Sequence, residues 1–305
     1  MAAFIPVIAG VGILAGTIEM PWERNARKAR EREREARAAE QRAREAERQA
    51  LEEAGRQRTL LELGVPPDRE ISDTDIQTGR SEVGYEQGCR NIVLVGNRGA
   101  GKSTLINCLR GLGPGDSGLA EVGEVNVTTD CHKYDDLPKK GKQIVLYDMP
   151  GAGVIGSSAW DYYYARKLYS FDIVVIVHET TLAESDVRLR RLCYLRQQHC
   201  ILVRTKADVH IGNIEYRKQC TIAAARDDYM DQVRMDMRGF NALDSARAPG
   251  ELRVEIFDYV VNQRALLWKI TQVLDPERLC EPPASDLYHP INEAEFLGEI
   301  GMLSG

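Results

Sequence analysis

The sequence predicts an α/β protein, a mostly parallel sheet with helices on both faces, preceded by a long charged helix. Three observations predict it. A glycine-rich turn joins an aliphatic run to an amphipathic one in "NIVLVGNRGAGKSTLINCLRG", residues 91–111. From Asn91 to Leu274, strand-like and helix-like stretches alternate, as they do where each parallel strand is followed by a crossover helix. Ahead of them, "ERNARKAREREREARAAEQRAREAERQALEEA" is charged throughout and places acid and base four residues apart.

Composition narrows the class. The chain has 305 residues, room for one or two domains, and its 43% hydrophobic and 28% charged content is ordinary for a soluble globular protein. A net charge of −6 argues against nucleic acid as a main partner. Seven scattered cysteines form no C-x-x-C pair, which disfavours a zinc ribbon or a redox motif, so all are read as reduced thiols. The expected organisation is an apolar segment at 1–21, a charged helix at 22–63, a linker rich in proline, glycine and polar residues at 64–90, a nucleotide-binding domain at 91–275, and a tail at 276–305. No internal repeat is present.

The central motif is G-x-x-x-x-G-K-S, running Gly96, Asn97, Arg98, Gly99, Ala100, Gly101, Lys102, Ser103. Ile92 to Val95 reads as a buried strand before it. Thr104 to Leu112 follows as a helix, with Leu105, Ile106, Leu109 and Leu112 on one face. Glycines let successive backbone N–H groups curl inward, and the helix N-terminus adds partial positive charge. This predicts a phosphate cradle, a P-loop. Thr104 opens the helix behind it, Lys102 reaches the β- and γ-phosphates, and the Ser103 hydroxyl holds Mg²⁺.

Two later segments complete a nucleotide site. In "GKQIVLYDMPGAG", Asp148 ends a strand and is placed to hold Mg²⁺ through water, while Gly151 lets a backbone N–H turn toward the γ-phosphate. In "HCILVRTKADVH", a strand at Cys200 to Val203 leads into Thr205, Lys206, Ala207 and Asp208. Guanine presents two adjacent donors, N1–H and N2–H₂, which one carboxylate accepts together; adenine offers no such pair. Asp208 is placed for that, and the stem of Lys206 covers the base. The expected nucleotide is GTP, with GDP as product. Between cradle and Asp148, Val125 and Val127 alternate as in an edge strand, and Thr128 or Thr129 is available to complete the Mg²⁺ shell; either also suits a plain strand.

Taken together, G-x-x-x-x-G-K-S, "INCLRGL", the G-x-V-x-V-T of Gly123 to Thr128, "YDMPGAG", "ESDVRLRRL" and "VRTKAD" resemble the immunity-related, interferon-inducible GTPases over residues 88–270. The resemblance implies a Ras-like sheet with a central first strand, GTP hydrolysis, and nucleotide-driven self-assembly into a homodimer or oligomer at membranes. It also places Thr128 on the family's switch threonine. There are three departures. Residues 275–305 stand where the family carries a large helical domain, so the chain reads as a short form lacking most of it. The fifth guanine motif is not evident in "VEIFDYVVNQ", which leaves Asp258 without a role. Ala2 stands where a myristoylation signal needs glycine.

Catalysis is the open step. Small GTPases place a glutamine after D-x-x-G to orient water, but Ala152 and Gly153 follow here. Arg98, inside the cradle, is a candidate arginine finger in cis; its alternative is a solvent-facing side chain. The rival to a hydrolase is a non-hydrolysing, nucleotide-dependent scaffold or membrane-active assembly switch.

The arm carries 12 basic and 9 acidic residues between Glu23 and Arg58, and Ala29, Ala36, Ala43 and Ala50 repeat every seven. It reads as a solvated spacer helix, with a weak coiled coil as the alternative. Ala2 to Ile18 carries no charge and has Gly12 and Gly16 at G-x-x-x-G spacing. Insertion in a membrane, leaving the domain at its cytosolic face, competes with packing on a cytoplasmic domain.

Overall fold

The computed structural model describes residues 20–66, 70–120, 131–135, 137, 143–151, 158–247, 257–274 and 285–303, with backbone alone for 243–247. The candidate anchor at 2–18, the strand around Val125 and Val127, and Thr128 and Thr129 lie outside the described residues, as do Ala152 and Gly153. The chain divides into two units, residues 1–54 and 55–305.

Helix α1, Pro21–Leu63, enters from the first unit. There its charges pair along its own surface: Arg37 with Glu33 and Arg44 with Glu40, each at 2.6 Å. Each such i,i+4 pair contributes about 0.3–0.5 kcal/mol, enough to favour helix but not to build a core. Trp22 and Leu51 are exposed on the same stretch. The last turns belong to the second unit, where Leu63 is fully buried.

The segment expected as a linker holds a helix instead, α2, Asp73–Val83. Ser72 and Asp75 close a reciprocal capping box, and Gly84 ends the helix in the left-handed region at φ 67°. Polar composition concealed it. The helix is tied to the sheet from outside: the Tyr147 hydroxyl donates to the Gly84 carbonyl at 2.9 Å, and the Tyr85 hydroxyl to Asp172 at 2.8 Å.

The sheet comprises β1 (Arg90–Val95), β2 (His132–Tyr134), β3 (Ile144–Asp148), β4 (Ile173–His178), β5 (His199–Arg204) and β6 (Asp258–Val260), in the order β2-β3-β1-β4-β5-β6. Among the described strands only β2 runs antiparallel, against β3. β1 is central as expected, with Leu94 opposite both Asp148 and Val175. Its residues alternate between two cores. Ile92 and Leu94 join α3 (Lys102–Leu109) and α8 (Gln263–Leu274), while Val93 and Val95 join α4 (Ala159–Ala165) and α5 (Glu184–Leu195). Both faces being covered explains why the strands read as unbroken aliphatic runs.

Beyond β5, α6 (Ala207–Lys218) packs Ile211 and Ile214 on Ala225, Tyr229 and Val233 of α7 (Ile222–Arg247). The expected tail closes the first core. Helix α9, Glu293–Glu299, brings Phe296 and Leu297 to zero exposure, followed by Ile300.

Candidate functional site

The cradle is built by the turn between β1 and α3. Gly96 has φ 142°, and a Cβ there would lie 2.0 Å from the Val177 carbonyl oxygen, so only glycine lets the chain leave β1 past β4. Lys102 is 8% exposed, and its Nζ donates to the carbonyls of Gly96 and Asn97, 3.1 Å each. Burial lowers its pKa, and the charges of Asp148 and Asp186 offset part of that shift. Thr104 lines the cavity described below, Gly99 is exposed at the tip of the turn, and Arg98 is exposed beside it.

Asp148 ends β3 facing the cradle, which is what its position opposite Leu94 requires. Its Oδ2 accepts from Ser103 Oγ at 2.7 Å, while Oδ1 is buried without a hydrogen-bond partner among the described residues. Burial raises the Asp148 pKa, and the Ser103 bond with the charges of Lys102 and His132 pulls the other way. A buried carboxylate oxygen with no donor, beside a hydroxyl, suits a hard divalent cation, so the residues present fit Mg²⁺. Gly151 lies against the cradle: a Cβ there would stand 3.2 Å from both the Arg98 nitrogen and the Gly96 oxygen. Thr128, expected as a further ligand, lies outside the described residues.

The loop after β5 locks onto this cradle. Thr205 Oγ1 donates to the Ala100 carbonyl at 2.7 Å, with the His178 carbonyl 3.3 Å away. Lys206 adopts the left-handed region at φ 58° and sends its Nζ to Glu179 Oε2 at 2.6 Å, which stretches its stem along the site. Asp208 is in the first turn of α6. A cavity of about 230 Å³ is shared by three walls: Gly101, Thr104, Leu105 and Cys108; Thr205, Lys206, Asp208 and Val209; and Val261, Asn262, Gln263 and Leu266.

The third wall was not read from the sequence. Val261, Asn262 and Gln263 stand where the fifth guanine motif was sought, and a backbone amide joins them to the second wall, Ala207 N donating to the Val261 carbonyl at 3.4 Å. Asp258, three residues before Val261, has a structural task. It accepts from His178 Nε2 at 2.8 Å and from Arg204 Nε at 2.7 Å, joining the ends of β4, β5 and β6 in one buried network. Asp186 was also missed as a site residue. It is 2% exposed, accepts from the Ala183 amide at 3.1 Å to start α5, and supports the charge on Lys102.

Comparison with known proteins agrees with this geometry. The family model "Interferon-inducible GTPase (IIGP)" matches residues 81–239. The chain is 32% identical over 169 residues to mouse Interferon-inducible GTPase 1, covering 55% of this chain and 38% of that protein. It is 30% identical over 146 residues to mouse Interferon-gamma-inducible GTPase 10, covering 48% and 34%. It is 34% identical over 164 residues to rat Interferon-inducible GTPase 5, covering 52% and 33%. The matched stretch therefore spans 33% to 38% of the length of these relatives. Among solved structures, Aquifex aeolicus Era bound to GDP and AlF4⁻ overlaps at 15% identity and a TM-score of 0.35, over 58% of this chain and 52% of that one, too loosely to carry any inference. With the cradle, Asp148 and the T-K-A-D loop falling inside the matched residues, the chain belongs to the interferon-inducible GTPase family.

Proposed function

We propose that the protein binds GTP and GDP and, with Mg²⁺, hydrolyses GTP to GDP and phosphate. The observation that carries this reading is the Thr205–Ala100 hydrogen bond, which holds the phosphate cradle and the T-K-A-D loop as two walls of one cavity. The cavity beside Asp208 suits a base with paired donors, and the cradle to which Thr205 ties it suits phosphates. In this reading the cradle amides of residues 97–103 bind the phosphates, and Lys102 exchanges two carbonyl partners for phosphate oxygens. Asp208 accepts from N1–H and N2–H₂ of guanine while the Lys206 stem covers the ring. Ser103 and Asp148, with Thr128, would hold Mg²⁺, which supplies neutralisation of the β- and γ-phosphate charge. Gly151, close to the cradle, would offer its N–H to the γ-phosphate, and Arg98 remains the candidate for charge stabilisation there.

Family membership supports nucleotide-dependent self-association, and the uncharged run at 2–18 supports a place at the cytosolic face of a membrane. A second reading, a nucleotide switch that assembles without turnover, is favoured by Ala152 and Gly153 in place of a water-orienting glutamine. One experiment separates them: guanine-nucleotide titration followed by multiple-turnover phosphate release across a range of protein concentrations. Turnover per molecule that rises with concentration supports an assembling hydrolase. Tight binding with no release supports the switch, and no binding removes both.

A further inference from the structure

Glu293 is a carboxylate with zero exposure, 31 residues along the chain from the loop it touches. Burying an ionisable group is costly unless something specific is satisfied. Here its Oε1 accepts from the Asn262 amide at 2.8 Å, and its Oε2 accepts from the Ile291 amide. Asn262 is itself 1% exposed and begins α8, its Oδ1 accepting from the Ala265 amide at 2.8 Å. The neighbouring Asn292 brackets β6, donating from its backbone to the Val260 carbonyl at 3.1 Å and accepting at Oδ1 from the Val260 amide at 3.2 Å. Val261 then holds the Ala207 amide through its carbonyl. A continuous line of hydrogen bonds thus runs from the C-terminal segment, through the third wall of the cavity, to the loop that carries Lys206 and Asp208.

We propose that Glu293 is a positioning residue for the base site, its carboxylate fixing the Val261–Asn262 wall and, through Val261 and Ala207, the placement of Asp208. The inference rests on the guanine-nucleotide reading of the cavity. Two acceptor oxygens of an ionised carboxylate satisfy two amides at once, whereas the neutral acid gives one oxygen a proton and weakens its bond. Burial raises the Glu293 pKa to about 7, against the opposing pull of the Asn262, Ile291 and Glu293 amides and of the Arg226 charge. Arg226, on α7, donates to the carbonyls of His289 and Pro290. The wall is therefore held more firmly above pH 7 than below it. Folding stability responds with the opposite sign. A raised folded-state pKa means the native carboxyl holds its proton more tightly, so its contribution is full below 4.5 and lost as pH rises through about 7. Weaker base recognition on acidification is thus separable from any unfolding caused by this group.

The test uses the full chain and two ligands, GDP and IDP, the second lacking the N2 amine that Asp208 reads. Binding of both is measured across roughly pH 6–8, for wild type and Glu293→Gln, with thermal unfolding recorded alongside. The expected result is a wild-type preference for GDP that falls as pH drops through 7, and a variant whose preference is reduced by about five- to tenfold and flat with pH. An unchanged preference and the same pH profile in a folded variant overturn the proposal. Should the variant not fold, the wild-type profile decides alone, a GDP-to-IDP ratio constant with pH overturning it. Failure of wild type to bind either nucleotide instead overturns the reading of the cavity.

Discussion

Lys102 is the residue on which the proposed phosphate site is most directly tested. It is buried, its ammonium satisfied by two carbonyls of its own turn, and burial already pulls its pKa down. In the proposed site phosphate would replace those neutral partners with charged ones, so Lys102→Ala should weaken GTP binding by about tenfold or more, about 1.4 kcal/mol upward, read by calorimetry. Wild-type affinity in that variant removes the cradle reading. Asp208 is tested by exchange of acceptor for donor. Asp208→Asn suits the 2-oxo group of xanthine better than the amine of guanine, so competition binding should show loss of GTP and gain of XTP. Arg98 is exposed, which leaves its role to kinetics. If it stabilises charge on the γ-phosphate, Arg98→Ala lowers turnover at saturating GTP far more than it changes affinity. Equal turnover in the two proteins assigns the side chain to solvent.

Among the elements, α2 and α9 changed most between sequence and structure. Both were read as parts of loosely ordered segments, and both are held by partners distant in sequence. For α2 a local signal is present, since Ser72-x-x-Asp75 is a capping pattern, though it lies among the glycines and polar residues that read as a linker. For α9 the signal was an apolar patch without a surface to meet. Phe296 and Leu297 enter the core that holds Ile92, Leu94 and Leu266. Phe296→Ala should therefore lower unfolding stability by about 3–5 kcal/mol in chemical denaturation, the range for emptying a large buried aromatic site. A loss below about 1 kcal/mol would place α9 outside the folding unit.

At the scale of the whole molecule, the first unit and the nucleotide-binding unit separate by composition. No helix among the described residues is long and apolar enough to cross a membrane. The proposed anchor is the uncharged run at 2–18, outside those residues. The full chain is expected to co-sediment with liposomes, whereas a chain beginning at Pro21 stays in the supernatant and still binds GTP, because every nucleotide residue follows Val95. Full-length protein in the supernatant with GTP and with GDP alike ends the anchor idea. What the sequence determined by itself was the chemistry that nearby residues write together. It included the cradle from Gly96 to Ser103, Asp148 at a strand end, the T-K-A-D loop, and the aliphatic strands whose continuity means two covered faces. What only the tertiary structure decided depends on pairs far apart in the chain. Asp258 meets His178 across 80 residues and Arg204 across 54, and Glu293 meets Asn262 across 31. Local periodicity records which face of an element is apolar. It carries no record of which buried acid will satisfy which distant donor, because that choice is made only when the strands are laid side by side.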